Sequence, residues 1–280
     1  MSLFFYEGDT LTHCQRHSPL DALETRMLIE HVTGYTRVQL ITQSETPLQA
    51  AQATQLNQLI QARLDGQPMA YLLGEREFFG LRFAVSPAVL IPRPDTELLV
   101  ELALEHTPRP ANILDLGTGS GAIAISLAVQ DAQLKVTAAD ISPAALEIAQ
   151  RNSSDLCQPG QRVRFFESNW YQQLPPERFH TIVSNPPYIV KDDEHLSQGD
   201  LRFEPIDALT DHADGLSAYR QIITGAPDFL EIGGWLLMEH GYHQAEEVQA
   251  LLKDANFKEV RSWQDLAGIW RVTGGRWHGN

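Results

Sequence analysis

The chain predicts a doubly wound, mostly parallel α/β sheet preceded by a small helical domain. Three observations carry this expectation. From Ala111 onward, short apolar β-branched runs alternate with amphipathic helical runs, the pattern of βαβ units. The first of these runs ends in a glycine-rich turn, Asp115-Leu-Gly-Thr-Gly-Ser-Gly121, that opens a helix. Residues 10 to 74 carry helical spacing and helix stops instead. At 280 residues, 43% of them apolar, the chain exceeds a typical domain and has ample material for packed cores, so more than one folding unit is expected.

Residues 1–74 read as the helical domain. Asp21 to Val32 places Leu23, Met27, Leu28 and Val32 on one stripe, and Gly34 is a C-terminal stop. Thr46 is a cap with Pro47 at the first position of a helix through Leu64. Residues 75–92 read as a β-hairpin connector, with β-like runs at Phe78–Val85 and Ala88–Ile91 broken by Gly80 and Ser86-Pro87. Residues 93–280 form the main domain. Pro92-Arg-Pro94 stiffens the chain, and Asp95 to Leu104 starts a helix with acidic residues at its positive end. Arg93 and Glu97 are candidate functional residues, although helix entry and a local ion pair explain them nearly as well.

The alternation then runs in order. Ala111–Leu116 is a strand and Ala122–Ala128 its helix; Leu134–Asp140 is the second strand, and Ser142-Pro143 caps the helix Ala144–Arg151. Val163–Glu167 and Phe179–Ser184 are the third and fourth strands. Asp214–Ile223 is a helix, Gly234–Glu239 a fifth strand and Val248–Leu252 a helix; Glu259–Trp263 and Ile269–Thr273 close the sheet as an antiparallel hairpin. The polar, acidic insertion between Ile189 and Asp214 contains Arg202-Phe-Glu-Pro205. Loops of that length are often lids or substrate-binding segments.

The glycine turn points to a ligand. Gly117, Gly119 and Gly121 permit positive φ and let a ligand lie against bare backbone, while the helix that follows offers unpaired N–H groups. A nucleoside-type cofactor suits this place. Gly117, Gly119 and Ala122 also satisfy a dinucleotide fingerprint, with Asp140 at the distance that grips a ribose hydroxyl, so the turn alone leaves NAD open. Asp115 discriminates: ahead of the first glycine it would repel a pyrophosphate and attract a cationic ligand. The plain alternative is a turn carboxylate that takes backbone N–H groups.

Asn185-Pro-Pro-Tyr188 follows the fourth strand, at the carboxyl edge where open parallel sheets carry their sites. Pro186 and Pro187 hold Asn185 and Pro186 extended. A planar NH2 group could then donate one hydrogen to the Asn185 side-chain oxygen and one to the Pro186 carbonyl, its plane stacked on Tyr188. This is a cradle for an amide or exocyclic amine. Asp140 ends the second strand and suits two ribose hydroxyls, and Asn169-Trp170, after the third strand, offers an acceptor and a stacking face for adenine.

Composition excludes several classes. The formal charge of −15 speaks against a phosphate backbone as partner. No apolar run approaches membrane-spanning length, and the first residues lack the basic start and apolar core of a signal peptide, so a cytoplasmic protein is expected. Cys14 and Cys157 form no redox or metal spacing, and the ten histidines show no ligand pattern, so reduced thiols and no metal are expected.

Taken together, the Asp115–Gly121 turn and Asn185-Pro-Pro-Tyr188 resemble the amino-methylating branch of the S-adenosylmethionine methyltransferases. Ile91-Pro-Arg-Pro-Asp-Thr-Glu97 narrows the resemblance to the HemK/PrmC family, which N5-methylates the glutamine of the Gly-Gly-Gln motif in peptide-chain release factors. The resemblance covers nearly the whole chain. It implies a class I S-adenosylmethionine-dependent methyltransferase fold with a seven-stranded sheet, and an N-terminal helical domain that helps hold the protein substrate. It implies S-adenosylmethionine as donor, S-adenosylhomocysteine as product, and a release factor as partner. Donor-binding residues would be Asp115, Gly117, Thr118, Gly119, Ser120, Gly121, Asp140, Asn169, Trp170 and Asn185. Asn185, Pro186, Pro187 and Tyr188 would hold the acceptor, with Asn185, Pro186 and Tyr188 catalytic. Family members often have Asp where this chain has Asn169, which retains the acceptor oxygen. The implied chemistry is in-line transfer with no general base. A ribosomal-protein glutamine methyltransferase and a DNA adenine-N6 methyltransferase remain alternatives, the second disfavoured by the acidic balance.

Overall fold

The structure, a computed structural model, describes residues 4–161 and 163–279; residues 1–3, part of the stretch read above for a signal peptide, lie outside them. The chain divides into two compact units, one ending at Gly74 and one beginning at Glu75.

The first unit is helical: α1 (Leu11–His17), α2 (Ala22–Thr33), α3 (Arg37–Thr42), α4 (Ala50–Leu64) and α5 (Met69–Leu73). Asp21 caps α2 by accepting from the Leu23 and Glu24 N–H groups, and Gly34 ends it in the left-handed region at φ 71°. The buried face of α2 is Thr25, Leu28 and Ile29, joined by Val32. Leu23 is 55% exposed, which corrects the expected stripe: five residues from Leu28, it points about 140° away around the helix. Nor does Thr46-Pro47 start a helix. The Thr46 carbonyl accepts from Leu11 N–H and Leu48 N–H donates to Asp9, so this stretch pairs as an extended segment and α4 begins only after Gln49.

The second unit opens with a hairpin of β1 (Glu75–Phe78) and β2 (Leu81–Ala84). Phe79 and Gly80 both have positive φ, 51° and 75°, as a two-residue hairpin loop requires. Ala88–Ile91 is not a strand. Its backbone donors are committed elsewhere, Val89 N–H to Ser86 and Ile91 N–H to the Glu204 carboxylate. A 3₁₀ turn at Pro94–Thr96 precedes α6 (Glu97–His106).

The remaining strands and α-helices are β3 (Ala111–Leu116), α7 (Ala122–Gln130), β4 (Leu134–Asp140), α8 (Pro143–Leu156), β5 (Val163–Glu167), β6 (Phe179–Ser184), α9 (Ile206–Leu209), α10 (Ser217–Phe229), β7 (Leu230–Glu239), α11 (Ala245–Asp254), β8 (Lys258–Gln264) and β9 (Trp270–Arg276). They form a seven-stranded sheet in the order β5-β4-β3-β6-β7-β9-β8. The first five are parallel, and β9 runs antiparallel to both β7 and β8. This is the class I methyltransferase arrangement of a doubly wound sheet. Strand alternation sorts the core: Ile113, Val136, Val183 and Leu237 pack with α6 and α7, whereas Leu114, Leu116, Ile182 and Met238 pack with α10 and α11. Each fully buried Leu or Ile stabilises the fold by roughly 1.5–3 kcal/mol against exposure. The helix α10 continues past the stop expected near Ile223. Gly225, within it, serves packing, since a Cβ there would lie 2.5 Å from the Tyr171 ring.

Candidate active site

Register assembles the site. Leu116 pairs with Ala139 of β4 and with Ser184 of β6, so the residues one step beyond, Gly117, Asp140 and Asn185, emerge side by side at the carboxyl edge. The chain reverses its direction across the sheet between β3 and β6, the switch point at which such sheets open a crevice.

A cavity of about 480 Å³ lies over these strand ends, within the range of small-molecule sites. Gly117, Gly119, Asp140, Asn169, Trp170, Asn185 and Pro187 line it. Thr118 and Ser120 line a smaller adjoining cavity with Arg93, Thr96 and Asn185. All three turn glycines have positive φ. Gly119 leaves open space where a Cβ would stand, whereas a Cβ on Gly121 would lie 2.7 Å from Ile125 Cδ1. The two glycines therefore serve different ends, ligand space at Gly119 and helix-to-helix packing at Gly121.

Asp115 lies beneath the turn and lines neither cavity. On β3 it shares the face of Ile113, toward α7, and is 0% exposed. Its Oδ2 accepts from the Thr118 hydroxyl at 2.6 Å, and among the described residues its Oδ1 makes no close hydrogen bond. Burial pushes its carboxyl up to about 7, against the pull of the Thr118 hydroxyl and the Ala124 N–H. Asp140 accepts from Gly119 N–H at 2.8 Å and from Ser142 N–H at 2.9 Å, one on each oxygen. Each oxygen keeps a lone pair for a ligand hydroxyl. Burial raises its carboxyl above the usual range despite these N–H groups.

Asn185 Nδ2 donates to Thr96 Oγ1 at 3.2 Å, which leaves Oδ1 as the free end of the amide. The Pro186 carbonyl is likewise unclaimed among the hydrogen bonds of the described residues. Pro186 and Tyr188 are not on the wall of either cavity. Tyr188 packs toward the cluster of α10 and α11, its carbonyl accepting from Gln244 Nε2 at 3.2 Å. Its phenol is raised well above the ordinary range by burial, with Glu239 adding to the effect, so it stays protonated at neutral pH.

Sequence reading missed part of the wall. Ala88, Val89 and Leu90 line the cavity from the segment after the hairpin, and Pro205, Asp207 and Ala208 from the insertion. The insertion is held by a contact across 111 positions: Glu204, its side chain 0% exposed, pairs with Arg93 and accepts Ile91 N–H at 3.0 Å. Arg93 thus anchors the insertion. Glu97 accepts from Phe79 N–H at 2.8 Å and secures the hairpin turn. The signal for Glu204 was its place beside Pro205 in an otherwise acidic, exposed stretch, but nothing local named its partner.

Residues 94–200 match the model of the Methyltransferase small domain, and residues 11–74 match the PrmC N-terminal domain. The chain is 52% identical over 273 residues to the release factor glutamine methyltransferase of Burkholderia pseudomallei, covering 95% of this chain and 96% of the relative. Against the protein of the same name from Bordetella pertussis the identity is 53%, over 91% of this chain and 95% of the relative. The chain belongs to the release factor glutamine methyltransferase family. A methyltransferase from Pyrococcus furiosus, 20% identical, aligns with a TM-score of 0.55 over 79% of this chain and 98% of that one, a likeness of fold. Membership in this methyltransferase family closes the nicotinamide alternative that the glycine turn by itself left open. No helix among the described residues is long and apolar enough to cross a membrane, and among them no His, Cys, Asp and Glu side chains cluster as a metal site.

Proposed function

We propose that the chain transfers a methyl group from S-adenosylmethionine to the side-chain amide nitrogen (N5) of the glutamine in the Gly-Gly-Gln motif of peptide-chain release factors, in the cytoplasm. In this reading residues 1–74 recognise the protein substrate, residues 75–92 connect, and residues 93–280 carry the chemistry. The observation that carries it is the Asn185 amide, tied through Nδ2 to Thr96 with Oδ1 left to accept.

The residues present fit an adenosyl donor. The open space at Gly119 admits a ligand against the backbone, Asp140 has two lone pairs to offer a ribose, and Asn169 and Trp170 stand where adenine would need an acceptor and a stacking face. Asp115, its carboxyl raised to about 7 by burial, puts negative potential under the turn when ionised, which favours a cationic ligand. Thr118, Ser120 and Gly121 shape the turn that presents these groups. When bound, the sulfonium supplies an electrophilic methyl and leaves as a neutral thioether.

What the chain must supply is positioning, because an amide nitrogen is a weak nucleophile. Asn185 Oδ1 and the Pro186 carbonyl accept the two N–H hydrogens of the glutamine, holding its nitrogen in line and leaving its lone pair directed away from both. Pro186 and Pro187 keep the acceptors rigid, and Tyr188 backs the cradle from the protein interior. Correct alignment is worth up to ~7–11 kcal/mol of barrier. The two accepted hydrogen bonds push electron density onto nitrogen as the N–C bond forms. The surplus proton then leaves to water.

Methyl transfer from labelled donor tests the proposal with a release factor, its Gly-Gly-Gln to Gly-Gly-Ala variant and adenine-containing DNA offered in parallel. Label on the wild-type factor alone is expected. Label on DNA, or equal label on the Gly-Gly-Ala variant, would overturn the acceptor assignment. Asn185→Ala should remove transfer by several orders of magnitude while the melting temperature stays near that of the parent.

A further inference from the structure

We propose that Glu239 is a positioning residue that, through Thr96, fixes which way the Asn185 amide faces; the inference rests on the glutamine-methylation reading above. Glu239 ends β7, on the strand face of Leu237, and Asn185 follows β6 on the face of Val183. Ser184 pairs with Met238, so the next step along both strands brings Asn185 beside Glu239. Both Glu239 and Thr96 are buried, at 2% and 5% exposure. Asn185 Nδ2 donates to Thr96 Oγ1, and both side chains face the Glu239 carboxyl closely enough to hold its pKa down against burial.

An ionised carboxylate can only accept. Facing one, the Thr96 hydroxyl must spend its hydrogen on Glu239 and can then only accept from Asn185. The amide consequently turns NH2 inward and its oxygen toward the cavity, the orientation that receives a substrate N–H. A neutral acid or an amide at position 239 can donate as well as accept. It would tolerate the flipped Asn185, whose NH2 would confront the NH2 of the glutamine. The spare Oε2 of Glu239, buried and without a partner, keeps the acceptor character of the site in excess.

The charged and titratable neighbours of Glu239 come from every side. Asp95, in the turn before α6, raises it, and Arg271 of β9 lowers it. Tyr188 follows β6, and Tyr219 of α10 donates its hydroxyl to the Glu239 backbone carbonyl at 2.9 Å. Burial dominates and pushes the carboxyl up to about 7. Ionisation of this group thus falls near neutral pH.

The experiment uses the full chain with a release factor, Glu239→Gln, Thr96→Val and Thr96→Ser. Wild-type transfer to glutamine is measured first, because its absence would sink the functional reading and not this one. With that in hand, Glu239→Gln should lower kcat at least tenfold, with donor Kd and release-factor KM within twofold of the parent. At saturating donor, where the Asp115 charge no longer limits binding, the wild-type kcat should rise as pH increases through about 7, and Glu239→Gln should lose that limb. Thr96→Val should mimic it and Thr96→Ser should retain most activity, a pair that decides the matter even if Glu239→Gln folds poorly. Unchanged kcat in both Glu239→Gln and Thr96→Val, or a limb that persists in Glu239→Gln, would overturn the proposal.

Discussion

Replacing Asp115 by Asn should make the protein more stable at alkaline pH and less able to bind its methyl donor. The carboxyl is fully buried, with one oxygen bonded to Thr118 and the other making no close hydrogen bond among the described residues. Burial raises it from 3.8 to about 7 in the folded state. The folded chain therefore holds a proton that the unfolded chain has released, and stability falls as pH climbs between these two values. A tenfold difference in proton affinity between the two states is worth about 1.4 kcal/mol, so above neutrality the ionised group costs up to ~4 kcal/mol. Asn removes that cost but buries an NH2 donor where Oδ1 stood, a penalty of ~1–3 kcal/mol. The net gain at pH 8 is then ~1–3 kcal/mol. The pH dependence is the cleaner quantity, because the NH2 penalty cancels: the advantage of the variant over the parent should grow by about 3 kcal/mol from pH 5 to pH 8. Urea unfolding of both proteins across that range measures it. His106 and His240, whose pKa values burial lowers, change stability in the opposite direction but equally in both proteins. An advantage that stays constant with pH would refute the claim that Asp115 is a buried acid, and unaltered donor affinity would remove its charge from ligand binding.

Four other substitutions separate fold from site. Gly119→Ala, whose Cβ meets nothing within 4 Å, should cost only the ~1 kcal/mol of a positive φ yet abolish donor binding by calorimetry. Gly121→Ala, with its Cβ 2.7 Å from Ile125 and 3.2 Å from Ala149, should cost ~2–4 kcal/mol in urea unfolding; equal losses at the two positions would contradict the division of roles. Asp140→Ala should weaken donor binding at least tenfold, since it removes both ribose acceptors and the tether on Gly119 N–H, and unchanged affinity would take Asp140 out of the site. Glu204→Gln should break the ion pair to Arg93 and lower stability by ~1–3 kcal/mol, with faster proteolysis within residues 189–214 as the readout; an unchanged cleavage rate would show that the insertion does not depend on that pair.

Much of the fold was legible because it follows short-range rules. Positive φ at the turn, extended backbone at Arg93 and Ser142 ahead of their prolines, and alternation along β3, β4 and β6 are properties of a few consecutive residues. The errors fell where local rules compete. Thr46-Pro47 has the composition of a helix start, but its backbone groups bond to the segment around Thr10. Leu23 is apolar and helical yet lies on the outer face of α2.

By itself the sequence determined the order of the main strands and helices, the two ligand-bearing motifs and, through their resemblance joined by that of Ile91–Glu97, the family. Tertiary structure decided which groups meet. The depth of Asp115 depends on which face of β3 covers α7, the reach of Glu204 to Arg93 spans 111 positions, and Thr96 and Asn185 stand 89 apart. Such contacts are set by strand order and register, and the register is chosen by burial of whole faces, a global energy that no short window of residues contains.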